Sequence, residues 1–245
     1  MNHPLDKNLL FDEATHRYTV KGAEYTSVTT LIKSLFEVFD TELIIDKMMA
    51  SKNWSNSRYF GMSKDEIKQQ WANNGSVQSK FGTDLHRDIE NYYNGIQVTN
   101  ESIEYGYFIQ FVQQFPLKPY RAEWTVYHEE ARIAGTIDML FENDDHTLQI
   151  YDWKRSKGIE KNNKLFKFGL DPIIEHLPDT NYWHYSLQLN MYKYILEEKY
   201  NKKVTHMYLL CLHPTNKSFE RIIVKDLRKE VEQLFIKRIS LRLSN

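Results

Sequence analysis

The sequence predicts an α/β fold in which a mixed central sheet is flanked by helices. Residues 120–127, 132–141 and 147–154 alternate apolar and polar side chains, and the short connections between them suit antiparallel neighbours. Residues 182–200 then return to helical spacing, and residues 204–212 form a further apolar strand. The order of helix, three strands, helix and strand is typical of helices packed on a mixed sheet.

The sequence of the first part of the chain predicts a small hairpin followed by helices. Residues 17–20 and 23–25 alternate around Lys21-Gly22, and a helix capped by Thr26 or Ser27 begins near Val28. Further helices are expected at 40–52, at 63–78 with the capping box Ser63-Lys64-Asp65-Glu66, from Gly82 to the Asn94-Gly95 stop, and at 101–115. After the central elements, a strand at 219–224 and a helix at 227–241 complete the chain.

Length and composition predict one compact unit. A chain of 245 residues is long for one domain and short for two, which favours a single core with elaborations. We expect residues 1–79 to form the N-terminal hairpin and helical elaboration, packed on a core of residues 80–245. The net charge of -1, from 32 basic and 33 acidic residues, argues against binding nucleic acid by bulk charge alone.

Cysteine usage and the N-terminus predict an intracellular protein in a reducing compartment, such as the cytoplasm, a nucleoid, an organelle or a virus-infected cell. The single cysteine, Cys211, cannot form an intramolecular disulfide and excludes a four-cysteine iron-sulfur cluster. The first residues lack the apolar segment of a secretion signal, and no apolar run is long enough to span a membrane. Neither secretion nor a membrane partner is expected.

Two acidic residues within apolar strands carry the functional prediction. Asp138 and Asp152 would be costly to bury alone, so their presence on adjacent strands indicates a cation or a wet cleft. Lys154 lies two residues after Asp152 and therefore on the same face of its strand. Glu123 in the preceding strand can add an oxygen ligand, and His86 can add a nitrogen from the helix before it.

These residue types suit metal-dependent hydrolysis of a phosphodiester bond. Carboxylates hold a hard divalent cation, the cation activates water and neutralises phosphate charge, and an ammonium steadies the transition state. An Asp-x-Lys tripeptide by itself is usually a surface ion pair. The ordered set His86, Glu123, Asp138, Asp152 and Lys154 makes the catalytic interpretation the stronger one.

The sequence resembles the RecB-like branch of the PD-(D/E)XK nuclease superfamily over most of its length. The similar motifs are Gly82-Thr83-x-x-His86, Gly135-Thr136-Ile137-Asp138, Asp152-Trp153-Lys154 and Gln188-x-x-x-Tyr192, with Ile137 where the superfamily has proline. The group of mitochondrial genome maintenance exonucleases and their phage relatives is the most similar in character. The resemblance implies a restriction-endonuclease-like core.

The resemblance also implies roles for individual residues. Asp138, Asp152, His86 and the Trp153 backbone carbonyl would bind metal, with Asp138, Asp152, Lys154 and Glu123 as the catalytic set. Gln188 and Tyr192 would lie near the cleft, either contacting substrate or bracing the site. Arg155 and Lys157 leave the active-site strand where a phosphate must arrive, so phosphate contact and a solvated loop are both open. Tyr182, Trp183 and Tyr185 could stack on unpaired bases or pack against the sheet.

The expected activity is that of a metal-dependent DNA exonuclease that prefers single-stranded ends, in DNA replication, repair or recombination. It would use one or two Mg²⁺ or Mn²⁺ ions and no iron-sulfur cluster. A structure-specific or end-processing endonuclease could use the same residues with a different entrance to the site. A nucleic-acid-binding module on an inactive nuclease fold is the alternative of another class.

Overall fold

An eight-stranded mixed sheet forms the centre of the protein in a computed structural model, which describes residues 3–162 and 166–244. The strands are β1 (Leu9–Asp12), β2 (Arg17–Val20), β3 (Ala23–Ser27), β4 (Lys118–His128), β5 (Ile133–Glu142), β6 (Leu148–Lys154), β7 (Val204–Cys211) and β8 (Glu220–Ile223). Apart from β1, each strand lies at a segment whose sequence alternates or is continuously apolar. The expected three-strand meander is confirmed as β4, β5 and β6, with ends shifted by one or two residues.

The sheet branches at β5, because this strand pairs with three others. One edge of β5 pairs with β4 along most of its length, whereas the other edge pairs first with β3, in parallel, and then with β6, antiparallel. The β3 pairing ends at Ala134 and the β6 pairing begins at Met139. Residues 135–138 therefore have no strand partner on this edge within the described part of the chain. We call this gap the β5 fork; Asp138 lies at its end.

Helices cover both faces of the sheet. The helices of the described chain are α1 (Val28–Ser34), α2 (Thr41–Met49), α3 (Lys64–Tyr93), α4 (Ile103–Gln114), α5 (Asn181–Lys199) and α6 (Arg228–Leu243). One apolar layer places α5, α6 and α1 against the sheet, around Val126, Ile150 and Leu189. A second layer, built around Phe108, Phe111 and Trp153, places α4 and the end of α3 on the opposite face. The predicted mixed sheet flanked by helices is thus confirmed.

Local sequence signals explain where several helices begin. The Ser27 side chain accepts a hydrogen bond from the Thr30 amide, and Asp40 does the same for Leu43. Ser63 and Glu66 form the expected capping box, in which the Ser63 amide donates to the Glu66 carboxylate at 2.7 Å. None of the helices in the described ranges has the length and apolar composition that crossing a membrane requires.

The structure differs from the expected helix pattern between residues 63 and 95. The sequence predicts two helices separated near Gly82, but α3 runs without a break through Gly75 and Gly82. Glycine weakens a helix interior by about 1 kcal/mol yet keeps its amide donor, so it does not end a helix as proline does. The strand β1, which the sequence analysis missed, pairs with β2 through Leu9 to Asp12.

The chain forms two compact units, residues 1–37 with 85–245 and residues 38–84. This division differs from the expected boundary at residues 79 and 80, because β1, β2 and β3 join the central sheet through the parallel pairing of β3 with β5. The smaller unit contains α2 and the first part of α3. Its own small core consists of Ile45, Tyr59 and Ile67.

Candidate metal centre and active site

Three side chains from three different elements meet beside the β5 fork. His86 of α3, Glu123 of β4 and Asp138 of β5 each offer one ligand atom, and these atoms lie within 4.8 Å of one another. All three residues are partly exposed, so solvent and a ligand can reach them. We call these residues the ligand group. Their oxygen and nitrogen atoms are of the types that Mg²⁺ and Mn²⁺ bind.

The strand register explains why Glu123 and Asp138 meet. In the antiparallel pairing of β4 with β5, Ala122 lies opposite Met139 and Trp124 lies opposite Ile137, which places Glu123 opposite Asp138. Residues directly opposite each other in adjacent strands project from the same face. Glu123 adopts a left-handed backbone conformation with φ of 43°, which is unusual for a residue with a side chain.

Hydrogen bonds to the backbone of Trp153 orient both His86 and Asp138. His86 Nε2 lies 2.7 Å from the Trp153 carbonyl oxygen, and the Trp153 amide donates to Asp138 Oδ2 at 2.9 Å. A histidine that donates from Nε2 to a carbonyl leaves the Nδ1 lone pair for a cation. Nδ1 faces Asp138 Oδ2 at 3.5 Å, on the side where the ligand group converges. The Trp153 carbonyl, an expected metal ligand, is thus in contact with His86.

Within the described part of the chain, no lysine or arginine forms an ion pair with Glu123 or Asp138. Burial, together with repulsion from Asp138, Glu90 and Asp152, raises the pKa of Glu123 to about 9. Two carboxylates held this close repel each other unless a proton or a cation lies between them. A divalent cation relieves that repulsion, and the donor set of one imidazole and two carboxylates is one that such a cation accepts. The residues present therefore fit the metal ion that the sequence predicts.

Asp152 and Lys154 form a separate, more deeply buried pair. The Asp152 carboxyl group is 2% exposed, and the Lys154 ammonium lies 2.6 Å from its Oδ2 atom. The predicted placement of both side chains on one face of β6 is confirmed by this contact. Burial raises the pKa of Asp152 to about 6, and the attraction of Lys154 offsets that effect only in part. For Lys154, attraction to Asp152 and Asp138 outweighs burial, so its pKa lies above the ordinary value.

Asp152 is close to the ligand group without belonging to it. Asp138 and Asp152 come one step beyond the last paired residues of β5 and β6, Met139 and Tyr151. Asp138 raises the pKa of Asp152 and His86 lowers it, as expected for neighbouring charges. Among the described atoms, neither Asp152 oxygen has a hydrogen bond of ordinary geometry besides the ion pair. The Asp152 Oδ1 atom is therefore a buried acceptor without a hydrogen-bond partner among the described atoms, beside the ligand group.

The helix α5 packs closely against the β5 fork, where the Tyr192 ring lies beside Gly135. Gln188 and Tyr192, one turn apart, are 9% and 3% exposed, and the Gln188 amide donates to the Tyr192 hydroxyl at 3.3 Å. A side chain at Gly135 would place its Cβ atom 2.7 Å from the Tyr192 ring, so glycine is required there. Of the two roles expected for Gln188 and Tyr192, this burial favours bracing the site over contacting substrate.

The two basic residues after Lys154 differ in their surroundings. Arg155 forms an ion pair with Glu104 of α4, with 2.7 Å between Nε and Oε1, and both side chains are about nine-tenths buried. This pair fixes the end of β6 to α4 and points the guanidinium away from solvent. Lys157 is exposed and remains a candidate for phosphate contact. No pattern in the sequence indicates the Arg155–Glu104 contact, because the partners are 51 residues apart.

Comparison with known proteins identifies the family of the chain. The model of the PD-(D/E)XK nuclease superfamily matches residues 63–242, which contain every residue of the site. A crystal structure from Eubacterium rectale, provisionally named an exonuclease, is 13% identical over 88% of this chain and 80% of its own, with a TM-score of 0.39. A protein named SSO0001 is 14% identical over 88% and 74%, with a TM-score of 0.32. No curated protein sequence matches the chain. The chain belongs to the PD-(D/E)XK nuclease superfamily.

Proposed function

We propose that the chain is a metal-dependent DNA exonuclease that prefers single-stranded ends and acts in DNA replication, repair or recombination. The observation that supports this most directly is the meeting of His86, Glu123 and Asp138 within 4.8 Å, beside the buried pair of Asp152 and Lys154. A cation site and an ammonium group on adjacent strands are the two parts that phosphodiester hydrolysis needs.

His86, Glu123 and Asp138 would hold a Mg²⁺ or Mn²⁺ ion, with Asp152 supplying a further oxygen. Such an ion, when bound, neutralises phosphate charge and makes water a stronger nucleophile at neutral pH. His86 keeps its Nδ1 atom available because Nε2 donates to the Trp153 carbonyl. The Trp153 amide holds one oxygen of Asp138 in place, so the site is oriented before substrate arrives.

Lys154 acts as a fixed cation in this scheme. Its raised pKa keeps the side chain protonated at neutral pH, so it donates hydrogen bonds rather than removing a proton. Asp152 and the Tyr185 ring, 4.5 Å from Nζ, hold the ammonium in position. From there it can donate to a phosphate oxygen and stabilise the charge that develops in the transition state.

The preference for single-stranded DNA ends is supported by the motifs that resemble mitochondrial genome maintenance exonucleases and their phage relatives. Asp152-Trp153-Lys154 and the Gln188-x-x-x-Tyr192 helix are the most specific of them. The near-neutral overall charge also suits an enzyme that binds nucleic acid through a local site.

The direct test is digestion of 5′- and 3′-labelled DNA with Mg²⁺, with Mn²⁺ and with EDTA. We expect a linear single strand to be shortened in either metal, a circular single strand to stay intact, and EDTA to stop the reaction. Asp138→Asn should abolish digestion, whereas Asp144→Asn, an exposed acid outside the site, should leave it unchanged. Cleavage of the circle would favour the endonuclease, and turnover unaffected by Asp138→Asn would refute the assignment.

A further inference from the structure

The first turn of α5 carries an aromatic pair flanked by two lysines that no step of the proposed reaction uses. The rings of Tyr182 and Trp183 meet edge to face, with centroids 5.0 Å apart. The Lys161 ammonium lies 4.6 Å from the centre of the Tyr182 ring, and the Lys225 ammonium lies 5.7 Å from that of Trp183. We call these four residues the α5 platform. Its lysines come from two separate segments of the chain.

The segment that carries Lys161 is fixed to α5 by three hydrogen bonds. The Asn181 side chain donates to the Gly158 carbonyl at 3.0 Å and accepts from the Glu160 amide at 2.8 Å. The Trp183 indole donates to the Lys161 carbonyl at 2.9 Å. Trp183 is therefore held by its edge while part of its surface stays exposed, which makes it a rigid surface for stacking.

The Tyr182 hydroxyl fixes the second lysine. It donates to the Ile223 carbonyl at 3.3 Å and accepts from the Lys225 amide at 3.2 Å. Because Tyr182 is buried, its hydroxyl ties the chain after β8 to the start of α5 and positions Lys225 beside Trp183. Lys161 and Lys225, which are distant in sequence, are thus both held beside the first turn of α5.

Three lysines of this region are exposed, and none of them forms an ion pair with a carboxylate of the described chain. They are Lys157, Lys161 and Lys225. By contrast, Lys193 on α5 is paired with Asp226 at 2.8 Å. Positioned lysines beside a half-buried aromatic ring suit a ligand with alternating phosphates and planar bases.

The α5 platform lies along the chain that leaves the catalytic strand. Lys161 is seven residues after Lys154, so the two cannot be more than about 25 Å apart. Tyr185, which contacts Lys154, is one helical turn after Tyr182 and therefore on the same side of α5. Successive lysines at 154, 157 and 161 lead from the site towards the platform.

We propose that the α5 platform binds the part of a single-stranded polynucleotide that extends beyond the scissile bond. Trp183 stacks on an unpaired base, and Lys161 and Lys225 contact the phosphates on either side of it. The bases of a duplex are already stacked on each other, so this surface favours a single strand. The inference rests on the proposed function for its substrate class, and it extends that function by naming the residues that select the strand.

The test measures binding and cleavage separately. Binding of a labelled oligothymidine of about 20 nucleotides is followed by anisotropy in EDTA, where no cleavage occurs, across a series of salt concentrations. We expect Lys161→Ala/Lys225→Ala to reduce the slope of log K against log salt by about 1.4, the value for two lost phosphate contacts on a single strand. Trp183→Ala should weaken binding about fivefold to a hundredfold, and Trp183→Phe should restore part of the loss.

The matched control is Lys202→Ala/Lys203→Ala, which removes the same charge just before β7 begins. This is the opposite end of β7 from Cys211, the residue that pairs with Lys154. It should change neither the slope nor the affinity by a comparable amount.

In Mg²⁺, the platform variants should slow digestion of the long strand while leaving a trinucleotide unaffected. An unchanged salt slope in the double variant, or unchanged affinity in Trp183→Ala, overturns the proposal. Absence of cleavage in the unmodified protein refutes the nuclease assignment, while the binding data still decide whether the platform exists.

Discussion

The ligand group and the buried pair are neighbouring parts of one site that handle charge in opposite ways. Asp152 has its counter-charge within the protein, 2.6 Å away on Lys154, and both side chains are shielded from water. Among the described residues, Glu123 and Asp138 face each other without a lysine or arginine in ion-pair contact, and the pKa of Glu123 rises to about 9. The comparison teaches that the fold compensates one carboxylate itself and leaves the others to be compensated by a bound cation. Four experiments can break or sharpen this distinction.

The largest effect is expected from Lys154→Ala. Removing the ammonium leaves Asp152 buried without a partner, which should destabilise the fold by about 3–5 kcal/mol. Cleavage should fall by at least about 100- to 1,000-fold, because a donor to the transition state is lost. Urea unfolding and single-turnover digestion measure the two effects.

The matched double variant Asp152→Asn/Lys154→Met removes both charges at once. It should recover most of the stability without recovering activity. If the double variant is as unstable as Lys154→Ala, the two side chains do not compensate each other as we describe.

The next effect concerns metal-dependent stabilisation. At a Mn²⁺ concentration about 100 times Kd, binding to the folded state contributes about 2.7 kcal/mol, or a rise in Tm of about 5–10 °C for a chain of this size. Asp138→Asn should remove that rise, since Asp138 belongs to the ligand group. Differential scanning fluorimetry with and without EDTA measures it, and a full Tm rise in this variant would remove Asp138 from the ligand group.

His86→Ala should have a moderate effect. It removes one ligand and the hydrogen bond to the Trp153 carbonyl, so metal affinity and activity should fall by about 10- to 100-fold. Because the other ligands remain, higher Mn²⁺ should restore much of the rate. Titrating Mn²⁺ against digestion rate checks this; a loss that no Mn²⁺ concentration repairs would place His86 in the chemical step instead.

The smallest effect, when it is counted per pH unit, is a pH dependence of stability in EDTA. The pKa of Glu123 rises from 4.5 to about 9 on folding, so the folded protein binds more protons than the unfolded chain between these values. Stability should therefore be fully present below about pH 4.5 and decrease as pH rises towards 9, by at most about 1.4 kcal/mol per pH unit for one proton. The raised pKa of Asp152 adds to the decrease at the acidic end, up to about pH 6.

Glu123→Gln should flatten this slope above pH 6, whereas Glu175→Gln, an exposed acid elsewhere, should not. Saturating Mg²⁺ should also flatten it, because the cation replaces the proton. Unfolding free energies measured at several pH values provide the comparison. An identical slope in Glu123→Gln would mean that repulsion within the ligand group is already relieved by other means.

Local patterns were sufficient to predict the central strands and the position of Asp152 and Lys154 on one face of β6. Period-two alternation located β4, β5 and β6, and the two-residue spacing of Asp152 and Lys154 placed them on one face. These predictions succeeded because they depend on neighbours in the sequence. The continuous helix α3 escaped prediction because the sequence was divided into two helices, with a break expected between residues 78 and 82.

Long-range pairing could not be predicted in the same way. The sequence alone does not indicate that Arg155 is paired with Glu104, that Tyr192 fills the space left by Gly135, or that β3 joins the sheet beside β5. Each depends on which elements become neighbours in the fold. For the same reason, the sequence predicted that Asp138 and Asp152 meet but did not separate the ligand group from the buried pair.

The left-handed backbone at Glu123 has a consequence for protein engineering. Glycine adopts that conformation without steric conflict, whereas a residue with a Cβ atom loses on the order of 1 kcal/mol there. Glu123→Gly would relax the main chain, so a screen that rewards thermal robustness would favour it, although the variant lacks a carboxyl group of the proposed metal site. Under the proposed function, robustness and activity therefore oppose each other at position 123, and a stabilised version of this protein should keep Glu123.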